Sequence, residues 1–75
     1  MTLLGDQKMK NQVKKLREKR GVTQKELGLS VGVSRQAINA VETGKFDPSI
    51  WLAYHLATYF GVSIEDLFDF SEGEF

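Results

Sequence analysis

Apolar residues recur along this chain at helical spacing, and the body of the chain has no sustained strand-type alternation. Val13, Leu16 and Arg17 fall at i, i+3 and i+4 on one face, while Lys14, Lys15 and Lys19 lie elsewhere. That predicts a first helix from about Asn11 to Arg20, closed by Gly21. Thr23 with Glu26 three residues on matches a capping box, in which each side chain satisfies the other residue's backbone N–H. Leu27 and Val31, one turn apart, give this second helix its buried face, and Gly32 stops it. Ser34 is placed to cap a third helix, with Ile38 and Val41 inward, Ala37 able to join them and Gly44 at the end. Asp47-Pro48-Ser49 reads as a turn followed by an N-cap. The fourth helix then carries Leu52, Ala53, Leu56, Ala57 and Phe60 at 3-4-3 spacing, a strong amphipathic pattern, and Gly61 ends it. Ser63 with Asp66 caps a short fifth helix bearing Ile64, Leu67 and Phe68. From Phe68 to Ser71 the pattern switches to period two. That predicts a short strand, paired either with Lys10–Gln12 or with the same segment of a second copy.

The chain has 75 residues, enough for one domain. Residues 1–8 read as an N-terminal extension, 9–68 as an all-α domain of five short helices, and 69–75 as an acidic tail. A chain of this size buries only about 60% of its unfolded surface, so association with a second copy would add needed core. There is no cysteine, which removes disulfide frameworks and thiolate metal sites. No apolar run approaches the roughly 20 residues that cross a bilayer, and the start has no signal-peptide core. A soluble, cytoplasmic domain is the expectation.

Charge adds more than its zero total conveys. All ten Lys and Arg lie at or before Lys45, with only Asp6, Glu18, Glu26 and Glu42 among them, so this part carries +6. From Phe46 onward there are six acids and no Lys or Arg, which gives −6. One face is thereby suited to a polyanion and the other is not, although two ordinary solvated faces would have the same composition.

Residues 24–42 combine two helices, a tight turn at Gly32 and a small Gly28 four residues earlier. This is helix-turn-helix spacing. Gly32 can take positive φ without a Cβ penalty, and Gly28 is expected to let Ile38 of the crossing helix come close. The chain resembles the Cro and lambda-repressor type of helix-turn-helix transcriptional regulator, often called the Xre family. The matching residues are Leu16-Arg17-Glu18, Arg20-Gly21-Val22-Thr23-Gln24, Glu26-Leu27, Gly32-Val33-Ser34-Arg35-Gln36-Ala37-Ile38, Glu42-Thr43-Gly44-Lys45, Pro48-Ser49 and Phe60-Gly61-Val62-Ser63-Ile64-Glu65-Asp66-Leu67-Phe68. They span roughly residues 11 to 68. Gly28 departs from the family, which usually has Ala there.

The resemblance implies a compact five-helix lambda-repressor-like DNA-binding domain, with the short terminal strand available to a dimer interface. It implies a double-stranded DNA operator as partner, with the third helix in the major groove. Ser34, Arg35, Gln36, Asn39 and Ala40 then match base-reading positions. Arg35 can reach guanine O6 and N7, Gln36 adenine N6 and N7, and Ala40 a thymine methyl. Gln24, Thr43 and Lys45 match phosphate-binding positions. Arg17 and Glu42 match a structural ion pair between the first helix and the end of the third. Lys10, Lys14, Lys15, Lys19, Arg20 and Lys25 contribute to the field. For each polar residue the plain alternative is a solvated helix surface or loop.

Other chemistry lacks parts. His55 is the only histidine, which gives neither a metal site nor a base near a nucleophile, and no phosphate-cradling glycine loop exists. No enzyme activity, cofactor, metal, membrane partner or small-molecule ligand is expected. The implied regulator is a repressor acting as a homodimer, with Trp51, Tyr54 and Tyr59 as the candidate dimer surface. The competing reading is a protein-interaction module, an antitoxin or adaptor, that uses the helix-turn-helix as scaffold.

Overall fold

The computed structural model describes residues 10–69. In chain order the elements are β1 (Lys10–Asn11), α1 (Val13–Arg20), α2 (Gln24–Val31), α3 (Arg35–Glu42), α4 (Ile50–Phe60), α5 (Ile64–Leu67) and β2 (Phe68–Asp69). Residues 1–8, read as an extension, and 70–75, the rest of the acidic tail with Phe70 and Ser71, lie outside the described residues.

Local chemistry sets most helix starts. Thr23 Oγ1 accepts the Glu26 N–H at 3.0 Å, and the Glu26 carboxylate accepts the Thr23 N–H at 2.8 Å, completing the capping box. Ser34, Ser49 and Ser63 each accept an N–H from the first turn of α3, α4 and α5. A cap of this kind stabilises by about 1 kcal/mol.

The first helix begins later than its periodicity predicts. Asn11 belongs to β1, where it pairs antiparallel with Phe68 while Lys10 pairs with Asp69. The Asn11 side chain supports the start of α1, its Oδ1 accepting the Val13 N–H at 3.0 Å. Its Nδ2 donates to the Val41 carbonyl at 3.0 Å, joining this part of the chain to α3. The fifth helix likewise stops at Leu67, and Phe68 enters the core from β2. The described part of the period-two segment, Phe68–Asp69, therefore pairs with Lys10–Asn11 of the same chain.

The core is built around the inner face of α4. Leu52, Ala53, Leu56, Ala57 and Phe60 pack with Val13, Leu27, Ile38, Val41, Leu67 and Phe68, all buried. Leu16, Val31 and Ile64 line its edge. Gly32 closes α2 at φ 82°, the left-handed geometry the turn requires. Gly28 makes a close approach to the turn: a Cβ there would lie 2.6 Å from the Val33 carbonyl oxygen and 3.3 Å from Ser34 backbone atoms. The backbone of the turn is what closes most tightly on Gly28. No helix among the described residues is long and apolar enough to cross a membrane.

Candidate nucleic-acid interface

The arrangement begins with the two-sidedness of α3. Ile38 and Val41 are buried on its inner side. Arg35, Gln36 and Asn39 are exposed on the outer side, and Ala40 is half-buried at its edge. Positions i, i+1, i+4 and i+5 share one helix face, so these four side chains form one surface. The eight residues of α3 span about 12 Å, close to the roughly 12 Å width of a B-DNA major groove.

Ser34 lies exposed at the start of α3, where its hydroxyl oxygen accepts the Ala37 N–H. Its O–H remains able to donate outward. Thr43 and Lys45 are exposed at the other end. The Thr43 hydroxyl donates to the Asn39 and Ala40 carbonyls at 3.0 and 3.3 Å, and its N–H donates to the Asn39 carbonyl. Both Thr43 donors are thus engaged within the protein, so a phosphate at this position would have to displace the hydroxyl.

Gln24 is half-buried at the first position of α2. Its Nε2 donates to Glu42 Oε1 at 3.0 Å. This bond draws Gln24 to the C-terminal end of α3, beside Thr43. The same carboxylate takes Arg17 from α1: Nε donates to Oε2 at 2.6 Å and Nη2 to Oε1 at 3.2 Å. Arg17 Nη1 donates to the Val22 carbonyl at 2.9 Å, in the α1–α2 connection. The Arg17 and Glu42 side chains are only 11% and 2% exposed. One carboxylate therefore joins α1, α2 and α3. The hydrogen bond that Arg17 donates to Glu42, opposed in part by burial, raises the Arg17 pKa above the usual guanidinium range. Among the described residues no buried side-chain nitrogen or oxygen lacks a partner.

Two further cationic features bear on the interface. Lys14, Lys15, Lys19 and Lys25 are exposed. Arg20, grouped with them on sequence grounds, lies with its guanidinium carbon 5.0 Å from the Tyr59 ring centre and 5.6 Å from that of Phe60, within cation–π range. Tyr59 is in consequence half-buried, and the aromatic surface differs from the one expected. Trp51 (69% exposed) and Tyr54 (52%) are joined on the outer side of α4 by Ile50 (68%) rather than by Tyr59. The α4 sequence contains no Asp, Glu, Lys or Arg.

Sequence reasoning missed the Gln24–Glu42 bond and the double role of Asn11. Each joins residues far apart in the chain, and no local pattern signals it.

Residues 13–67 match the family described as Helix-turn-helix. An HTH-type transcriptional regulator from Methanocaldococcus jannaschii, itself uncharacterized, is 48% identical over 66 residues, covering 88% of this chain and 100% of the relative. Another, from Bacillus subtilis, is 45% identical over 60 residues, covering 80% and 91%. Among solved structures, the P22 c2 repressor protein in complex with a synthetic operator superposes with a TM-score of 0.70 at 26% identity, covering 87% of this chain and 91% of that one. The restriction-modification controller protein from Aeromonas hydrophila gives 0.68 at 25% identity, covering 73% and 83%.

Proposed function

The chain belongs to the helix-turn-helix family of DNA-binding transcription regulators, not to an enzyme class, and on that footing we propose that it is a cytoplasmic, sequence-specific repressor that binds double-stranded DNA as a homodimer. The observation that carries this reading is the outer face of α3: Arg35, Gln36 and Asn39 stand in solvent on a helix whose opposite side is anchored by Ile38 and Val41. In the major groove, Arg35 would give guanine two donors and Gln36 would pair with adenine. Asn39 and Ala40 would meet the adjoining bases, and Ser34 a base edge or phosphate at the start of the helix. Gln24 and Lys45, with Thr43 once its hydroxyl rotates away from the helix, would hold the backbone at the far end and fix the register. The P22 c2 repressor structure, solved on an operator, supports this docking for a fold of this kind.

The homodimer reading rests on α4. Its inner side fills the core, and its outer side offers Ile50, Trp51 and Tyr54 with no formal charge along the helix. A helix apolar on both sides is one that is covered on both. A second copy can cover this face without like-charge repulsion. Two-fold pairing would set two α3 helices about one DNA turn apart, roughly 34 Å, on a pseudo-palindromic site. Occupying such a site blocks a promoter.

Selection from random duplexes in low and high salt tests the proposal. The expected result is an enriched inverted repeat, with affinity falling steeply as salt rises because each neutralised phosphate contributes a slope of about −0.9. No enrichment, together with a stoichiometric protein partner and no DNA footprint, would instead identify the domain as an adaptor.

A further inference from the structure

We infer that Glu42 is a positioning residue for DNA binding: it fixes the orientation of the Gln24 carboxamide so that one defined N–H faces the DNA backbone. The inference rests on the reading of Gln24 as a phosphate contact. A free glutamine amide can turn over, presenting either its N–H groups or its carbonyl oxygen. An oxygen facing phosphate repels it, so only one of the two orientations binds. Here the neighbour of the amide is a carboxylate, which accepts hydrogen bonds and cannot donate one. Glu42 Oε1 therefore takes one Nε2 proton of Gln24, at 3.0 Å. The turned-over amide would set oxygen against oxygen. The second Nε2 proton has no partner among the described residues, and it is the donor left for a phosphate oxygen.

Arg17 completes the device. A bare carboxylate one hydrogen bond away from a phosphate contact would repel the DNA. The two Arg17 donors, at 2.6 and 3.2 Å, neutralise that charge while leaving Oε1 able to serve Gln24. The ion pair thus acts on binding through Gln24 as well as on the packing of α1 against α3. Because Glu42 ends the helix that would read the bases, the same carboxylate also ties the backbone contact to the position of that helix.

The test is a binding cycle on the full chain with a random-sequence 30-bp duplex at low salt, where backbone contacts dominate. Four proteins are compared: the parent, Gln24→Ala, the pair replacement Arg17→Met with Glu42→Met, and all three changes together. The pair replacement removes both charges at once, so it leaves no unpaired buried ion. Gln24→Ala is expected to weaken the parent about tenfold or more, the range of one hydrogen bond to a charged group. In the pair-replaced background the same change is expected to cost less than about twofold. Equal losses in both backgrounds would overturn the role of Glu42 and leave Gln24 a phosphate contact. No loss in the parent would overturn the phosphate reading of Gln24 and this inference with it. A second measurement needs no variant: in the parent, ¹⁵N-resolved side-chain spectra of Gln24 during DNA titration should show one Nε2 proton shifting and its Glu42-bonded twin holding still. Two protons that both stay unmoved, or that exchange freely, would count against the inference even if the pair-replaced protein did not fold.

Discussion

Replacing Arg17 by Met leaves the Glu42 carboxylate, 2% exposed, with the Gln24 amide as its remaining partner in place of a bidentate cation. Removing one member of a buried pair costs about 3–5 kcal/mol, because the charge left behind is neither neutralised nor hydrated. A chain of 75 residues has only roughly 4–11 kcal/mol of total stability, so this single change would remove a large part of it. In urea, with a slope of about 1 kcal/mol/M for so small a domain, the midpoint should fall by roughly 3 M or the transition vanish. Adding Glu42→Met should restore most of the loss, since two well-packed apolar side chains can replace a buried pair at little cost. The raised Arg17 pKa adds a pH condition. A group whose folded pKa is raised gives stability that is complete below its unfolded pKa and lost only as pH climbs past the folded one. Both lie above the working range, so the Arg17→Met deficit should stay constant from about pH 7 to about pH 10. Chemical denaturation of the three proteins decides the matter. A deficit below about 1 kcal/mol would mean that the pair behaves as an exposed one. A double variant as weak as Arg17→Met would mean that the loss comes from packing of the Arg17 stem, not from charge.

Three other substitutions probe the same geometry. Arg35→Ala should cost about 1–3 kcal/mol on the preferred duplex and relax selection at one base position, while binding to random DNA changes less; equal losses on both, in parallel titrations, would remove Arg35 from base readout. Lys45→Ala should flatten the plot of log affinity against log salt by about 0.9, the share of a single neutralised phosphate, and an unchanged slope would show that Lys45 stays in water. Gly28→Ala gains about 1 kcal/mol of helix propensity but sets a Cβ against the Val33 carbonyl oxygen, an overpacking cost of about 1–3 kcal/mol. The net expectation is a modest destabilisation in thermal melts, and a higher melting temperature would show that the turn yields freely.

Caps and helices were legible because their causes are local. Thr23 and Glu26 satisfy each other within one turn, and Ile38 and Val41 declare their burial by spacing alone. The outer face of α3 could be read for the same reason: once its inner positions are known, those of Arg35, Gln36 and Asn39 follow from helical period. Long-range satisfaction of polar groups was not legible. Asn11 continues the polar pattern of the first helix, yet its amide bonds a carbonyl 30 residues away, and that bond holds it in a strand. Gln24 has the composition of an ordinary first-turn residue, and only the return of α3 brings Glu42 to it. Gly28 announced a close approach, but that its nearest neighbours are backbone atoms of the turn is something no pattern of side chains can reveal.

The pairing of β1 with β2 has a consequence for synthesis. Lys10 and Asn11 leave the ribosome early, while the strand they need, and the buried Phe68 ring with it, are made late. A chain that ended at Leu67 would lack the β1–β2 clasp beside the start of α1. The native packing therefore requires the β2 segment, and a chain truncated before Phe68 would lose both the strand pairing and one buried ring of the core.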